Sequence, residues 1–370
     1  MRIRRTFVAF WVCLGLLTQT TGLSRIPLAR PLPRGLPLDG ASVQLSSDAS
    51  VRFDRARGVY IFSYKQFDGQ AARMGFELPT KVDVIIEAQV DSGQEGRGLR
   101  YSYALRNLPT SKQAANWFAI TTDHPVQAAG SPDNGWSVWI PPKPERIFQG
   151  KPGVAWSDSK IRPGVPPPGL PVFTDQMAQS WSNAKGKKSL PVTDLPSVRP
   201  AQTGLAPGKF LEGFTFVSPA LPGIGRCYAR RAQFMSVTHG EPPPEIERLT
   251  FDNSFLFVEG NTIVPALENP PRDPIQVLDQ LVAWAREADQ LGWVGDRKLL
   301  ERILSHLTKA RRLWATARHS EVAQELDAIG AIAKRERGVN ITSELYAILK
   351  FNSGALRKLA LEKAHDSNGE

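Results

Sequence analysis

The stretch 82-VDVIIEAQVDSGQEGRGLRYSYAL-105 decides the fold. Val82, Val84, Ile86, Ala88 and Val90 alternate with Asp83, Ile85, Glu87 and Gln89. After the turn residues Asp91-Ser92-Gly93 the pattern resumes, with Leu99, Tyr101, Tyr103 and Leu105 alternating with Arg100, Ser102 and Ala104. A period of two gives a strand one apolar face for a core and one polar face for water. The same pattern extends in both directions, from Val59 to about Val237. Tyr60, Phe62 and Tyr64 precede it. Short candidates follow at 116–121, 135–140, 154–157, 213–218 and 225–237. Asn107-Leu108-Pro109, residues 131–135 and Pro222-Gly223 supply turns between them. With no helical spacing in the gaps, the pattern predicts an antiparallel, Ig-like β-sandwich over 59–240.

Upstream, residues 24–58 place Pro27, Pro31, Pro33 and Pro37 among arginines. This predicts an extended or disordered lead-in, with room for a strand near Val43–Leu45. Residues 161–207 form a long loop rich in Pro, Gly, Ser and Lys, of a length usually functional or mobile. It carries Trp181 beside Lys185, Lys187 and Lys188, an aromatic and cations suited to a polyanion or a sugar. A solvated insertion with Trp181 pinned on the sandwich explains the same residues. Residues 241–273 read as a linker between the stiff ends Pro242-Pro243-Pro244 and Pro270-Pro271. There Phe251, Phe255, Phe257 and Val258 offer a strand to the sandwich edge or packing across a domain boundary.

At Asp273-Pro274 the period changes to about 3.6. An Asp followed by Pro is a helix start. One stripe runs Leu278, Leu281, Val282, Ala285, Ala288 and Leu291, ending at Gly292. A second helix starts at Asp296, a third follows Ser320 and stops at Gly338, and a fourth follows Thr342, with a kink expected at Asn352-Ser353-Gly354. These four amphipathic segments predict a small four-helix bundle over 274–364. The fold class is thus α+β multidomain.

Three fragments of the helical part carry a resemblance. They are Leu307-x-x-Ala310-x-x-Leu313, Ala323-x-x-Leu326-x-x-Ile329, and Gly338-x-x-Ile341-Thr342 opening the last helix. Together they resemble the FIMAH domain, a C-terminal module of secreted bacterial proteins, over roughly residues 275–362. Val322 stands where that family usually has a second alanine. The resemblance implies an extracellular accessory role and no particular activity. The strand region resembles, more distantly, sandwich domains of uncharacterised secreted bacterial proteins. Trp156, Ile161-Arg162-Pro163-Gly164, Gly213-Phe214-x-Phe216-x-Ser218 and Pro222-Gly223-Ile224 carry that likeness.

The first 23 residues read as a secretory signal. Arg2, Arg4 and Arg5 precede the apolar run 6–17, and small polar residues follow to Gly22. The run is shorter than the roughly 20 apolar residues a membrane span needs. An uncleaved anchor is the competing reading. Export predicts a secreted protein, extracellular or periplasmic, with no transmembrane segment in the mature chain. The 370-residue chain carries a formal charge of +10. Three arginines leave with the signal and no acid does, so the mature charge is near +7. That favours acidic envelope polymers or glycans over nucleic acid outside the cytoplasm. Of the two cysteines, Cys13 lies in the signal. Cys227 alone cannot make an internal disulfide and reads as a buried strand residue.

No Gly-x-Ser-x-Gly elbow, His-Glu-x-x-His pair, zinc-spaced cysteines or phosphate loop is present, so no cofactor or metal is called for. Asp123-His124 reads as a turn more readily than as a catalytic pair. Asp83 and Glu87 lie on one strand face, a spacing that serves solubility as readily as glycoside hydrolysis. Trp136 and Val138 share one strand face, and Trp139 takes the other. These readings favour a non-catalytic binding or scaffolding protein at the cell surface or in the extracellular matrix. Its partner would be an acidic or neutral polysaccharide, with Trp139, Trp181, Lys185, Lys187 and Lys188 as candidate contacts. The alternative is an extracellular hydrolase with a site between the sandwich and the 161–207 loop, using Asp123 or His124.

Overall fold

The computed structural model describes residues 40–366, apart from 57–58, 67–68, 78–81, 94–97, 133–134, 143–147, 149, 159–203, 231–234, 238–242 and 251–256. The expected signal, and Trp181 with its lysines, lie outside the described residues. The strands are β1 (Ser42–Ser46), β2 (Ala49–Asp54), β3 (Val59–Lys65), β4 (Ala71–Glu77), β5 (Val84–Ser92), β6 (Leu99–Asn107) and β7 (Trp117–Thr121), then β8 (Ala128–Gly130), β9 (Trp136–Trp139), β10 (Gly153–Asp158), β11 (Phe210–Ser218), β12 (Leu221–Arg230), β13 (Met235–Val237) and β14 (Val258–Leu267). The helices are α1 (Pro244–Thr250), α2 (Pro274–Gln290), α3 (Arg297–Ala315), α4 (His319–Glu336) and α5 (Ser343–Asp366). Among the described residues no helix is long and apolar enough to cross a membrane.

All strand pairings within the sheets are antiparallel. One sheet has the order β14-β12-β7-β10-β9 and a second the order β5-β6-β11-β8. These two pack face to face through aromatic rings. Trp156 of β10 stacks on Phe118 of β7 at 4.7 Å between centroids. It also meets Phe214 of β11 edge-on at 5.9 Å and Tyr103 of β6 at 6.0 Å. Its indole Nε1–H donates to the Gly130 carbonyl at 2.9 Å. The tyrosines that reach across bring their polar ends to backbone acceptors: Tyr101 donates to Ala220 O and Tyr103 to Ile263 O, both at 2.8 Å. A buried hydroxyl without such a partner costs roughly 1–3 kcal/mol.

The structure departs from the expected boundaries at both ends of the strand region. β3 and β4 do not join the packed pair of sheets. They belong to a third sheet, β1-β2-β3-β4-β13. This sheet has its own core of Ala49, Val51, Tyr60, Phe62, Tyr64, Ala72 and Met74, closed by Ile246 of α1. The described part of the expected lead-in therefore contributes two ordered strands. Alternation assigns a strand its faces but not its neighbours, and short connections pair β1 to β4 in sequence. The expected linker holds α1 and the edge strand β14. Phe257 and Val258 are buried as the sequence suggested. Phe251 and Phe255 lie outside the described residues.

Asp273 caps α2, its carboxylate accepting from the Ile275 and Gln276 amides at 3.1 Å. Gly292 and Gly338, at φ 70 and 73, end α2 and α4 in the left-handed region that glycine tolerates. The Gly338–Thr342 junction is a docked turn. The Gly338 amide donates to Ile341 O at 2.8 Å, the Thr342 amide to Trp293 O at 3.1 Å and the Gly295 amide to Asn340 O at 2.8 Å. The helix α5 runs unbroken through Asn352-Ser353-Gly354, where a kink was expected. Asn352 Nδ2 donates to Ile348 O inside the helix and to Pro222 O of β12, both at 2.8 Å. Small polar residues there let the helix approach the strand. At the other end of this contact, the buried Glu344 carboxylate accepts from the Ala88 amide of edge strand β5 at 2.8 Å. Helices α2 to α5 and the two packed sheets share one contiguous buried cluster.

Candidate functional site

The sheet β14-β12-β7-β10-β9 has a second face, turned away from the ring-packed core. Its register places Trp139, Ala155, Ala119, Tyr228 and Glu259 in one row across five strands. The central alanines leave a slot, and the buried Phe148 ring belongs to the cluster that fills this face, with Trp117, Ala119, Ala155, Tyr228 and Phe257. A Cβ at Gly153 would stand 2.4 Å from that ring, so only glycine fits under it. Trp139 packs its ring against Phe148 at 6.4 Å between centroids and stays 45% exposed. Trp136, three residues earlier, is buried on the core face. The strand alternation that separates these two tryptophans is visible in the sequence.

Two residues along the strands, the row is polar. Thr121 of β7, Arg226 of β12 and Asn261 of β14 lie side by side, Arg226 opposite Asn261 in the register. The Thr121 hydroxyl donates to Arg226 O at 3.1 Å. Asp123, Phe148, Lys151, Ile224, Gly225 and Glu287 of α2 complete a cleft of about 280 Å³. Lys151 Nζ donates to Asp123 Oδ1 at 2.7 Å. Asn261 Nδ2 donates to Glu287 Oε1 at 2.9 Å. The exposed Arg226 guanidinium makes neither a hydrogen bond nor an ion pair among the described residues. Burial pushes the Glu287 carboxyl above its ordinary value of 4.5, and the charge of Arg226 pulls it part of the way back.

The shifted carboxyl gives a pH signature. Above its raised folded value Glu287 must ionise in a partly dry site, which disfavours the folded state. Below the ordinary value the group is protonated folded or unfolded, and the penalty disappears. Glu287→Gln is therefore expected to raise the thermal midpoint at about pH 7 and to lose that advantage by about pH 4, as read by calorimetry at the two pH values.

Asp123 and His124, either of which the hydrolase alternative would use, line different hollows. Asp123 lines the cleft in its ion pair with Lys151. His124 lines a different hollow with Pro219, Ala220, Glu268, Asn269, Pro270 and Arg272. Cys227 is fully buried on the core face, and burial pushes its thiol far above the usual range, away from nucleophilic use. Among the described residues no group of three His, Cys, Asp or Glu side chains is placed to hold a metal ion. Strand alternation sets the exposed Trp139 apart from the buried Trp136, but nothing in the sequence points to Arg226, Lys151, Asn261 and Glu287. These come from four separate segments with no common spacing. No protein-family model matches the chain, and no curated protein or solved structure is significantly similar to it.

Proposed function

We propose that this is a non-catalytic binding protein of the cell exterior that holds a glycan on the outer face of the sheet β14-β12-β7-β10-β9. Trp139 carries the reading. It is a large aromatic left half in solvent, while Trp117, Trp136, Trp156, Trp284 and Trp293 are buried. A flat ring of this kind, held from behind by Phe148, offers a stacking surface for the apolar face of a sugar. The cleft beside Phe148 supplies donors and acceptors in the number a sugar's hydroxyls need. Export rests on the arginine-led apolar leader. The architectural part of the proposal is an Ig-like sandwich carrying a FIMAH-like four-helix module, supported by the face-to-face sheets, four successive helices and the docked Gly338–Thr342 turn.

Trp139→Ala is expected to weaken retention in polysaccharide affinity gels at least about tenfold, with folding stability within about 1 kcal/mol of the parent. Retention unchanged by that substitution would remove the reading. The hydrolase alternative draws on one observation, the two carboxylates Asp123 and Glu287 in the same cleft. Release of new reducing ends from a retained polysaccharide, lost in Glu287→Gln, would put the hydrolase first.

A further inference from the structure

The cleft indicates which glycan the face selects, an inference that rests on the binding reading above. Its charges are not equivalent. Lys151 is committed to Asp123, and Glu287 is engaged by Asn261. Among the described residues lining the cleft, Arg226 alone presents an exposed guanidinium with no hydrogen bond or ion pair, its charge felt by Glu287 without a direct pairing. A guanidinium fork matches a carboxylate in a bidentate, charge-assisted pair, which a neutral sugar cannot supply. The whole chain is basic, which draws polyanions toward the surface but does not select among them.

We infer that the cleft takes a carboxylate-bearing sugar, a uronic acid unit within a polysaccharide, with its carboxylate on Arg226 and a neighbouring ring of the same chain on Trp139. The sheet sets the span between these points. Trp139 and Arg226 are three strands and two residues apart, roughly 16 Å from ordinary strand dimensions, which about three to four linked sugar rings bridge. Asn261 flanks Arg226, and its side-chain carbonyl, which the bond to Glu287 does not use, is placed to accept from a hydroxyl of the bound unit.

The test uses the purified full chain in affinity gels containing polygalacturonate, alginate or hyaluronan. Each is run beside the same polymer with its carboxyls reduced to alcohols, and beside dextran sulfate. The expected result is retention on at least one uronate polymer, weakened about tenfold by carboxyl reduction. Arg226→Gln should abolish that preference, and Arg226→Lys should restore part of it. Calorimetry with defined fragments should show a tetrasaccharide binding and a disaccharide failing. Equal retention of the native and reduced polymers overturns the inference, while loss of both in Trp139→Ala leaves the glycan reading standing. Retention on dextran sulfate that matches the uronates and ignores Arg226→Gln reports only bulk attraction and also overturns it. No retention on any polymer, charged or reduced, removes the glycan reading and this inference together.

Discussion

Trp156→Ala is expected to cost about 3–5 kcal/mol of folding stability, the range for emptying a fully buried large aromatic site. Trp156 is fully buried and touches rings from both packed sheets, Phe118 on its own side and Phe214, Phe216 and Tyr103 on the other. Its removal deletes those contacts and leaves the Gly130 carbonyl without its indole donor. Neighbouring rings cannot collapse into the space, because each is fixed by its own strand. Trp156→Phe keeps part of the ring contact but still loses the hydrogen bond, so it should fall between the parent and the alanine variant. Denaturant unfolding followed by circular dichroism measures the series. An alanine variant within about 1 kcal/mol of the parent would mean that these rings do not hold the sheets together.

The second large effect is expected at the seam between sheet and helix. A Cβ at Gly223 of β12 would lie 2.2 Å from the tip of the Trp284 ring of α2 and 2.6 Å from the Ala266 Cβ of β14. Trp284 is buried and cannot swing clear. Gly223→Ala should therefore destabilise by about 1–3 kcal/mol through overpacking. Trimming the obstruction gives the decisive comparison. In Trp284→Leu the ring is gone, so adding Gly223→Ala should cost much less than it does in the parent. The double-mutant cycle should then show a coupling of at least about 1 kcal/mol. Additive effects would mean that the helix does not rest on this strand.

Much of the local structure is legible in the chain, and the reasons are physical. The strands β5 and β6 announce themselves because one face of each is buried and the other wet, which forces a strict period of two. The caps Asp273 and Asp296 and the stops Gly292 and Gly338 are visible because helix ends demand those residue types. Only the start of β14, at Val258, shows in the sequence; the rest is concealed by Gly260, Asn261 and Pro265, residues that argue against a strand. It tolerates Pro265 because it lies at a sheet edge. β1 falls where the sequence leaves room for a strand, at Val43–Leu45, whereas β2 is concealed by the proline-rich stretch upstream, although Ala49, Val51 and Phe53 do alternate. The assignment of β3 and β4 to a separate sheet left no trace in pattern, since faces are written in a strand and partners are not. The site divides the same way. The exposure of Trp139 is legible from alternation within one strand. The cleft beside it was not, because Lys151, Arg226, Asn261 and Glu287 meet only once the sheet register and α2 are in place.

The bond from Ala88 to Glu344 joins residues 256 positions apart. A ribosome finishes the outer strand of the four-stranded sheet long before it makes the segment that shields it. Until then that strand offers bare amides to any neighbouring polypeptide, an invitation to sticky association during synthesis. A truncation removing the last helix should therefore yield insoluble material rather than a shorter working protein, because that helix is the cover that makes the rest safe to produce.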